Sequence, residues 1–375
     1  MTNELRTRSG AGALALAALL VLTSAPAVAL EQGAVTPKPT ERAHELPQLD
    51  NGIAARCPGD AGIEADAAVL FTEGFEERGV ADVVARWTDA DNKGGEVLAI
   101  SSDVSLMSAG RQSLEMTATR GRNTGGHLWK LFDRGADAMH VRFYVKFAGD
   151  HPYVDKFVRI GALRDAGGKP REDRGYRPDG TRGFNVSLVP GGSWGRFGPP
   201  GAWLMQSYWR QMRSFQGPGG SVFYGNSFAP SPAQQAPRGQ WQCMEFMVKA
   251  NSAPERHDGE QAFWIDGKLA GRWGPNTPSG KWLADSFITQ ESGQLFEGFH
   301  WRLRDDVKLN NFWLRYDLAA AFEGNRQFQP KEGVTANADA GRVWFDDIVI
   351  ATEYIGPIFH APTKAGSDLR STDAQ

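Results

Sequence analysis

Short segments in which apolar and polar residues alternate recur along most of the chain. The clearest one runs from His140 to Phe147, where Val141, Phe143, Val145 and Phe147 share one face and His140, Arg142, Tyr144 and Lys146 the other. A period of two residues is typical of a β-strand with one buried face. We therefore predict a half-buried strand here.

Further segments of the same kind predict many more strands. They are Val69–Phe71, Ser113–Thr117, Trp241–Val248 and Val343–Ile350. Between two others stands Asp266–Gly267, a pair that favours the tight turn of a β-hairpin. The chain contains no long segment with a helical period, and 44 glycines and 11% aromatic residues suit a turn-rich β-protein. We predict an all-β fold, a two-sheet antiparallel β-sandwich or jelly roll.

The first 29 residues resemble an export signal. Arg6 and Arg8 precede an apolar run of twelve residues from Ala11 to Leu22, and the small residues Ala27–Ala29 follow. This order is typical of a secretory signal peptide, and the run is short for a membrane span of about 20 residues. We expect cleavage after Ala29, a periplasmic or extracellular protein, and no stable membrane insertion; an uncleaved anchor is the alternative.

The rest of the chain divides by composition. Residues 30–67 form a Pro-rich linker or arm, 68–360 the β-domain with a basic Gly/Pro-rich insertion at 164–240, and 361–375 a flexible tail. The only two cysteines, Cys57 and Cys243, permit one disulfide in an oxidising compartment; two unpaired thiols are the alternative.

Basic residues concentrate in one stretch although the formal net charge is −3. Between Lys156 and Phe215 stand Lys156, Arg159, Arg164, Lys169, Arg171, Arg174, Arg177, Arg182, Arg196, Arg210 and Arg213, against Asp165, Glu172, Asp173 and Asp179. Trp194, Trp203, Tyr208 and Trp209 are interleaved with them. Such a stretch suits an extended anionic ligand, because arginine pairs with carboxylate and aromatic faces stack on sugars. A solvated Arg-rich pair of loops is the alternative, and the mildly acidic total argues against nucleic acid.

Familiar catalytic patterns are absent from the sequence. There is no G-x-S-x-G, H-E-x-x-H, Walker or paired C-x-x-C motif, and no E-x-D-x-E spacing of sandwich-fold glycosidases.

Cationic, amide and phenolic side chains remain, placed by alternation on predicted strands. Phe157 and Arg159 would share a face, as would Asn185 and Ser187, and Gln206, Tyr208 and Arg210. Such a face suits β-elimination from a uronic acid, in which one group neutralises the carboxylate and another removes the C5 proton. A polar, exposed sheet face without catalysis is the alternative for each residue.

An ordered series of motifs resembles the concanavalin A-like jelly-roll polysaccharide lyases of the glucuronan and alginate type. The motifs are Phe75–Glu76, Ser108–Leu114, Gly126–Trp129, Val141–Val145, Trp241–Phe246, Trp264–Gly267 and Trp344–Ile348. The resemblance spans roughly residues 68–357 and implies two curved sheets with a concave substrate groove.

The resemblance also implies particular site residues. Arg159 falls where the family carries a groove arginine, His127 matches a Gly-His step, and Tyr208 and Lys156 are candidates for its tyrosine and lysine. A structural calcium ion is implied at Glu76 and one of Asp346 and Asp347, since carboxylate oxygens suit Ca²⁺.

We therefore predict a secreted, monomeric polysaccharide lyase that acts on an anionic, uronate-containing polysaccharide. Arg159 and Asn185 would neutralise the carboxylate, and Tyr208, His127 or Lys156 would transfer protons. Trp203, Gln206, Trp209 and Arg210 would hold the chain. A carbohydrate-binding protein without catalysis, and a sandwich domain that binds envelope or matrix components, are the alternatives.

Overall fold

The computed structural model describes residues 45–119, 122–123, 125–165, 175–192, 196–217, 220–318 and 340–360. The predicted signal peptide, the first part of the arm, Trp194 and the tail 361–375 lie outside these ranges. No helix in the described part of the chain is long and apolar enough to cross a bilayer.

Strands dominate the described residues. They are β1 Val69–Glu73, β2 Asp89–Asp91, β3 Leu98–Ser101, β4 Ser113–Thr119, β5 Gly125–Ala136, β6 Ala138–Phe147, β7 Val154–Lys156, β8 Arg159–Leu163, β9 Gly183–Gly191, β10 Ala202–Tyr208, β11 Phe215–Gly217, β12 Gly220–Val222, β13 Asn226–Ala229, β14 Gln242–Lys249, β15 Glu260–Ile265, β16 Lys268–Trp273, β17 Ser279–Leu283, β18 Ser286–Thr289, β19 Gln294–Leu295, β20 Leu309–Leu318 and β21 Ala340–Ala351. The helices are α1 Val80–Ala85 and three 3₁₀ turns, Ile53–Arg56, Pro58–Asp60 and Ile63–Ala65.

Two large sheets contain nearly all of these strands. The eight-stranded sheet has the order β16-β15-β14-β6-β21-β4-β3, with β1 also on β21. The eleven-stranded sheet has the order β19-β17-β18-β13-β10-β9-β8-β20-β5-β2, with β7 also on β20. Pairing within both sheets is antiparallel, except that β13 and β18 run parallel. The predicted all-β antiparallel sandwich is confirmed.

The core lies between the two sheets and is rich in aromatic rings. Phe143 of β6 and Phe345 of β21 pack against Phe157, with ring centroids 6.1 Å apart for the Phe143–Phe345 pair and 5.3 Å for Phe157–Phe345. One hydrogen bond also crosses the core, from the Ser207 hydroxyl of β10 to Gln261 Oε1 of β15, at 2.6 Å. These contacts fix the inner face of each sheet.

The outer face of the eight-stranded sheet is covered, so the prediction of a half-buried β6 is wrong. His140 and Arg142 are 8% and 0% exposed. Arg142 forms an ion pair with Asp60, and the Tyr144 hydroxyl accepts a hydrogen bond from the Ile358 N–H at 3.0 Å. The chain segments before β1 and after β21 therefore bury polar side chains that alternation alone assigns to solvent.

Residues 164–240 are more than an insertion. They contain β9, β10 and β13, which are neighbours in the eleven-stranded sheet, in addition to loops. The Asp266–Gly267 turn is as predicted, with φ of 49° and 76° between β15 and β16.

The predicted disulfide is not formed. Cys57 and Cys243 are both free thiols. They pack in different apolar clusters, Cys57 beside Ile53 and Ile355, and Cys243 beside Tyr144 and Ile358.

Candidate functional site

A row of side chains crosses the outer face of the eleven-stranded sheet. Strand register places each member opposite the next: Asp89, Trp129, Trp313, Arg159, Ser187, Gln206, Ser227 and Ser286. Residues directly opposite each other project to the same face. We call this set the cross-strand row; it spans eight strands, or roughly 34 Å at about 4.8 Å per strand.

His127 of β5 lies beside one end of the cross-strand row, on the same face. Its Nε2 is 3.2 Å from Asp89 Oδ2, and about a fifth of its side chain is exposed. A carboxylate can only accept a hydrogen bond, so Nε2 donates and Nδ1 of the neutral ring keeps its lone pair. His127 is thus an oriented imidazole with one nitrogen able to take up a proton.

Trp313 of β20 lies between two guanidinium groups. Arg159 stands over its ring at 4.6 Å and Arg315 at 5.0 Å, measured from each guanidinium carbon to the ring centroid. His127 contacts the same ring edge-on, with centroids 5.2 Å apart. One indole therefore brings two guanidinium groups and one imidazole together.

Two further charged residues complete this part of the face. Arg315 is paired across the strand with His127, and its guanidinium donates to Asp317 Oδ2 at 2.8 Å. Lys156 of β7 stands opposite Asp317 in the register. We call His127, Arg159, Arg315, Lys156, Asp89 and Asp317, with Trp313, the His127 cluster.

A second group of predicted residues lies on the same face farther along the sheet. Tyr208 of β10 is opposite Asn185 of β9, and both are mostly buried, at 5% and 8% exposure. Gln206 is opposite Ser187, and its side-chain amide donates to the Tyr224 carbonyl at 2.8 Å. The predicted shared face of Asn185, Gln206 and Tyr208 is therefore present.

The structure does not bring His127 and Tyr208 together. Three strands separate β5 from β10, so the two strands are roughly 19 Å apart at the usual spacing. The two residues also lie on opposite sides of the cross-strand row. The two side chains are therefore not neighbours, and of the two, His127 is the one with Arg159 and Arg315 around a neighbouring indole.

Several predicted contacts with substrate are wrong. Trp203 and Trp209 are 0% and 1% exposed, so neither has a face for a sugar ring. The Trp203 indole donates to Gln242 Oε1 at 2.8 Å, and that of Trp209 donates to Asn226 Oδ1 at 3.0 Å. Both are core residues.

Two other predictions fail because strands end early. β7 ends at Lys156 and β8 begins at Arg159, so Phe157 enters the core at 2% exposure while Arg159 stays on the outer face. β10 ends at Tyr208, and Arg210 beyond it turns to His300, with 3.4 Å between Nη1 and Nδ1.

Four residues of the His127 cluster were not predicted from the sequence: Asp89 of β2 and three residues of β20. Trp313, Arg315 and Asp317 alternate along β20 in the stretch Leu309–Leu318. The same alternation that identified other strand faces is present in this stretch. The alternation could therefore have identified these three side chains as sharing a face. That they meet His127 and Arg159 depends on β20 lying between β8 and β5, which the sequence does not show.

The carboxylates suggested for calcium lie just after the end of β1, at Glu76, and within β21, at Asp346 and Asp347. Oδ2 of Asp346 and Oδ2 of Asp347 are buried without a hydrogen-bond partner among the described residues. Burial and the neighbouring Asp347 raise the pKa of Asp346 to about 8. Glu76 Oε1 accepts from the Arg111 and Gln112 N–H groups, each at 2.7 Å. Two orphaned carboxylate oxygens suit a hard cation, although no three His, Cys, Asp or Glu side chains of the described chain converge on one point.

Comparison with known proteins found matches among solved structures. No family model and no curated protein matches the sequence. Among solved structures, the chain is similar to alginate lyase vAL-1 from a Chlorella virus, with 11% identity over 76% of this chain and 99% of that one, at a TM-score of 0.44.

Two other solved structures give comparable values. Alginate lyase Aly36B shares 13% identity over 77% of this chain and 99% of its own, at a TM-score of 0.42. The endo-β-1,4-glucuronan lyase of the fungus Trichoderma reesei shares 12% over 76% and 95%, at 0.38. These are the kinds of protein that the sequence motifs resemble; the function proposed next depends on the side chains described above.

Proposed function

We propose that the protein is a polysaccharide lyase that cleaves an anionic, uronate-containing polysaccharide by β-elimination. One observation carries the proposal: an imidazole oriented by Asp89 lies against the same indole ring as the guanidinium groups of Arg159 and Arg315. Proton removal next to a carboxylate needs these two functions side by side.

The proposed reaction uses the residues as follows. Arg159 and Arg315 bind the C6 carboxylate of a uronate, which lowers the barrier for loss of the C5 proton. His127 Nδ1 takes up that proton, a double bond forms between C4 and C5, and the C4–O bond breaks. Lys156, on the same face, protonates the leaving oxygen. The remaining cross-strand row, from Ser187 to Ser286, binds neighbouring sugars through hydroxyl and amide groups.

Ultraviolet absorbance of the unsaturated uronate product tests this activity directly. We would screen glucuronan, alginate, pectate and glycosaminoglycans. On the best substrate, His127→Ala is expected to lower turnover roughly 10²–10⁴-fold, the usual contribution of a general base. Arg159→Ala should lower it comparably.

Matched controls separate these effects from a general loss of folding. His360 is exposed, and Arg122 pairs with Glu96 on the surface, so His360→Ala and Arg122→Ala should retain full turnover. Absence of elimination on every polymer, together with measurable binding to one, would instead identify a carbohydrate-binding protein without catalysis. Normal turnover of His127→Ala would remove the proposed base.

We further propose that the protein is exported and acts outside the cytoplasm as a monomer. The support is the Arg6–Ala29 pattern of the sequence. Mass spectrometry of protein recovered from the culture medium or periplasm should find Leu30 as the first residue, and sedimentation should give the monomer mass. Retention of residues 1–29 in a membrane fraction would contradict export with cleavage.

We also propose a structural calcium ion held by Asp346 and Asp347 close to Glu76. The support is the pair of buried carboxylate oxygens that lack a partner. When bound, such an ion would supply positive charge and crosslink β21 to the chain around Glu76, with no part in the reaction.

A further inference from the structure

A cavity of about 420 Å³ lies at the edge of the eleven-stranded sheet, one strand beyond the end of the cross-strand row. It is lined by β17 and by the segment that follows β18, and Arg213 closes one side. The row ends at Ser286 of β18, whose neighbour in β17 is Leu283. This volume is in the range of small-molecule sites, and the proposed reaction does not use it.

The backbone of Arg213 is fixed by a buried side chain. Asn226, 0% exposed, accepts from the Arg213 N–H and donates to the Arg213 carbonyl, both at 2.9 Å. The same carboxamide oxygen accepts from the Trp209 indole. Because both backbone groups of Arg213 are held by one core residue, the position of this arginine is built into the fold.

The Arg213 guanidinium lies over the Trp282 ring, with 4.5 Å between its carbon and the ring centroid. Burial lowers the pKa of Arg213, and the negative charge of Glu297 opposes that effect. In the described part of the chain, no carboxylate is within ion-pair distance of this guanidinium. Its charge is thus partly desolvated and stacked on an indole, an arrangement that favours an added anion.

The other lining groups suit the rest of a sugar acid. Gln290, Gln294 and Glu297 offer donors and acceptors for hydroxyl groups. Lys281 precedes Trp282 in β17 and so projects to the other face of that strand, from which its positive charge acts on the cavity at longer range. The cavity wall depends on a glycine pair, since a Cβ at Gly293 would lie 2.2 Å from the Gly280 carbonyl oxygen. Only glycine there lets the segment after β18 lie against β17.

We propose that this cavity binds a uronate residue, with its carboxylate on Arg213 and its hydroxyls on the carboxamides and Glu297. The idea that the cavity anchors the far end of a polysaccharide rests on the proposed function. The idea that it binds a single uronate does not. The basic stretch noted in the sequence therefore serves two places, Arg159 in the His127 cluster and Arg213 in this cavity.

Calorimetric titration with D-glucuronate tests the proposal, with D-glucose as the neutral match that lacks only the carboxylate. We would use an Arg159→Ala background, so that Arg159 does not contribute to binding. Arg213→Gln should weaken glucuronate binding tenfold or more, as expected for loss of a charge-assisted hydrogen bond of about 1.5–3 kcal/mol. Lys281→Gln should weaken it severalfold, Arg122→Gln not at all, and glucose should not bind.

Two results would overturn the proposal: glucose binding as tightly as glucuronate, or unchanged glucuronate binding in both Arg213→Gln and Lys281→Gln. Lys281 is exposed on β17, so Lys281→Gln keeps the test valid if Arg213→Gln does not fold. The lyase proposal fails separately. If Arg213→Gln loses glucuronate binding but the wild type eliminates no polymer, the cavity proposal stands and the lyase proposal fails. If Arg213→Gln binds glucuronate normally but the wild type eliminates a polymer, the lyase proposal stands and the cavity proposal fails.

Discussion

At the scale of single residues, Asp89 is expected to act through His127. Its Oδ2 accepts from His127 Nε2 at 3.2 Å, and this bond selects the tautomer that leaves Nδ1 free to take a proton. Asp89→Asn removes the negative charge, and the new amide group can donate to His127 Nε2 instead of accepting from it. We expect kcat to fall by about tenfold or more, because a charge-assisted bond contributes about 1.5–3 kcal/mol.

A positioning role also predicts which kinetic constant changes. KM should stay within about twofold, since Asp89 does not contact the carboxylate that Arg159 binds. The control is Asp66→Asn, which removes an exposed ion pair with Arg56 elsewhere. A rise in KM at unchanged kcat would contradict the role given to Asp89.

His151 provides a second residue-scale prediction, on stability. It is fully buried between the Pro152 carbonyl and the Tyr316 hydroxyl, at 2.6 and 2.7 Å. Burial lowers the pKa of His151 to about 4, from 6.5. Between these values the unfolded chain binds a proton that the folded chain excludes, so the free energy of unfolding falls as pH drops from about 6.5 to 4.

The expected loss over that window is about 3 kcal/mol, at about 1.4 kcal/mol for each pKa unit. Urea unfolding at pH 7 and pH 4.5 measures it in wild type, His151→Gln and His360→Gln. His151→Gln should show a smaller difference between the two pH values than the other two proteins. An equal difference in all three would show that His151 does not titrate in this way.

Residue identity alone could not separate core tryptophans from ligand-binding ones. Ser207 illustrates the reason: it is polar, it lies between Gln206 and Tyr208, and yet its hydroxyl crosses the core to Gln261. Trp203 lies on the same face of β10 as Ser207, and this position in the strand, not the chemistry of the indole, places it in the core. Trp313, in contrast, stands in an alternating stretch with Arg315 and Asp317, and its face could be predicted.

At the scale of elements, the segment before β1 stabilises the eight-stranded sheet through one ion pair. Arg142 is fully buried, and its desolvation is outweighed by Asp60, which raises the pKa of the guanidinium. Asp60→Asn leaves a buried charge without its counterion. We expect the free energy of unfolding to fall by about 3 kcal/mol, the range for breaking one side of a buried pair.

Denaturant unfolding of Asp60→Asn and Asp66→Asn compares a buried with an exposed pair. Asp66 pairs with Arg56, whose side chain is 57% exposed, so Asp66→Asn should cost less than about 1 kcal/mol. Similar losses in the two variants would mean that the segment contributes by contact area rather than through Arg142.

The strands β6, β14 and β21 were predicted as elements, although burial on both faces replaces the alternation expected for β6. The prediction failed where a strand breaks. Phe157 interrupts the run between β7 and β8, and a one-residue shift there sends neighbouring side chains to opposite faces. The segment 164–240 was taken for an insertion because it is rich in Gly, Pro and Arg, although β9 and β10 lie at the middle of the sheet.

At the scale of the whole molecule, calcium is expected to join distant parts of the chain. Asp346 and Asp347 lie in β21, which pairs with β1, β4 and β6, so an ion there couples the central strands of one sheet to the region of Glu76. At a Ca²⁺ concentration one hundred times Kd, mass action adds about 2.7 kcal/mol to the free energy of unfolding. The melting temperature in Ca²⁺ should therefore exceed that in chelator by several degrees.

Asp346→Asn gives this prediction its sharpest form. The variant removes a buried carboxylate whose Oδ2 has no partner in the described chain, so it should melt at least as high as the wild type in chelator. In Ca²⁺ it should gain little, because the ligand is gone, and the order of the two proteins should reverse. Asp66→Asn, which removes the ion pair with Arg56 on the surface, should respond to Ca²⁺ as the wild type does. An unchanged melting temperature of the wild type after chelation and re-addition of Ca²⁺ would contradict the site. In that case the buried carboxyl of Asp346 would be a protonated acid at neutral pH, because burial raises its pKa to about 8.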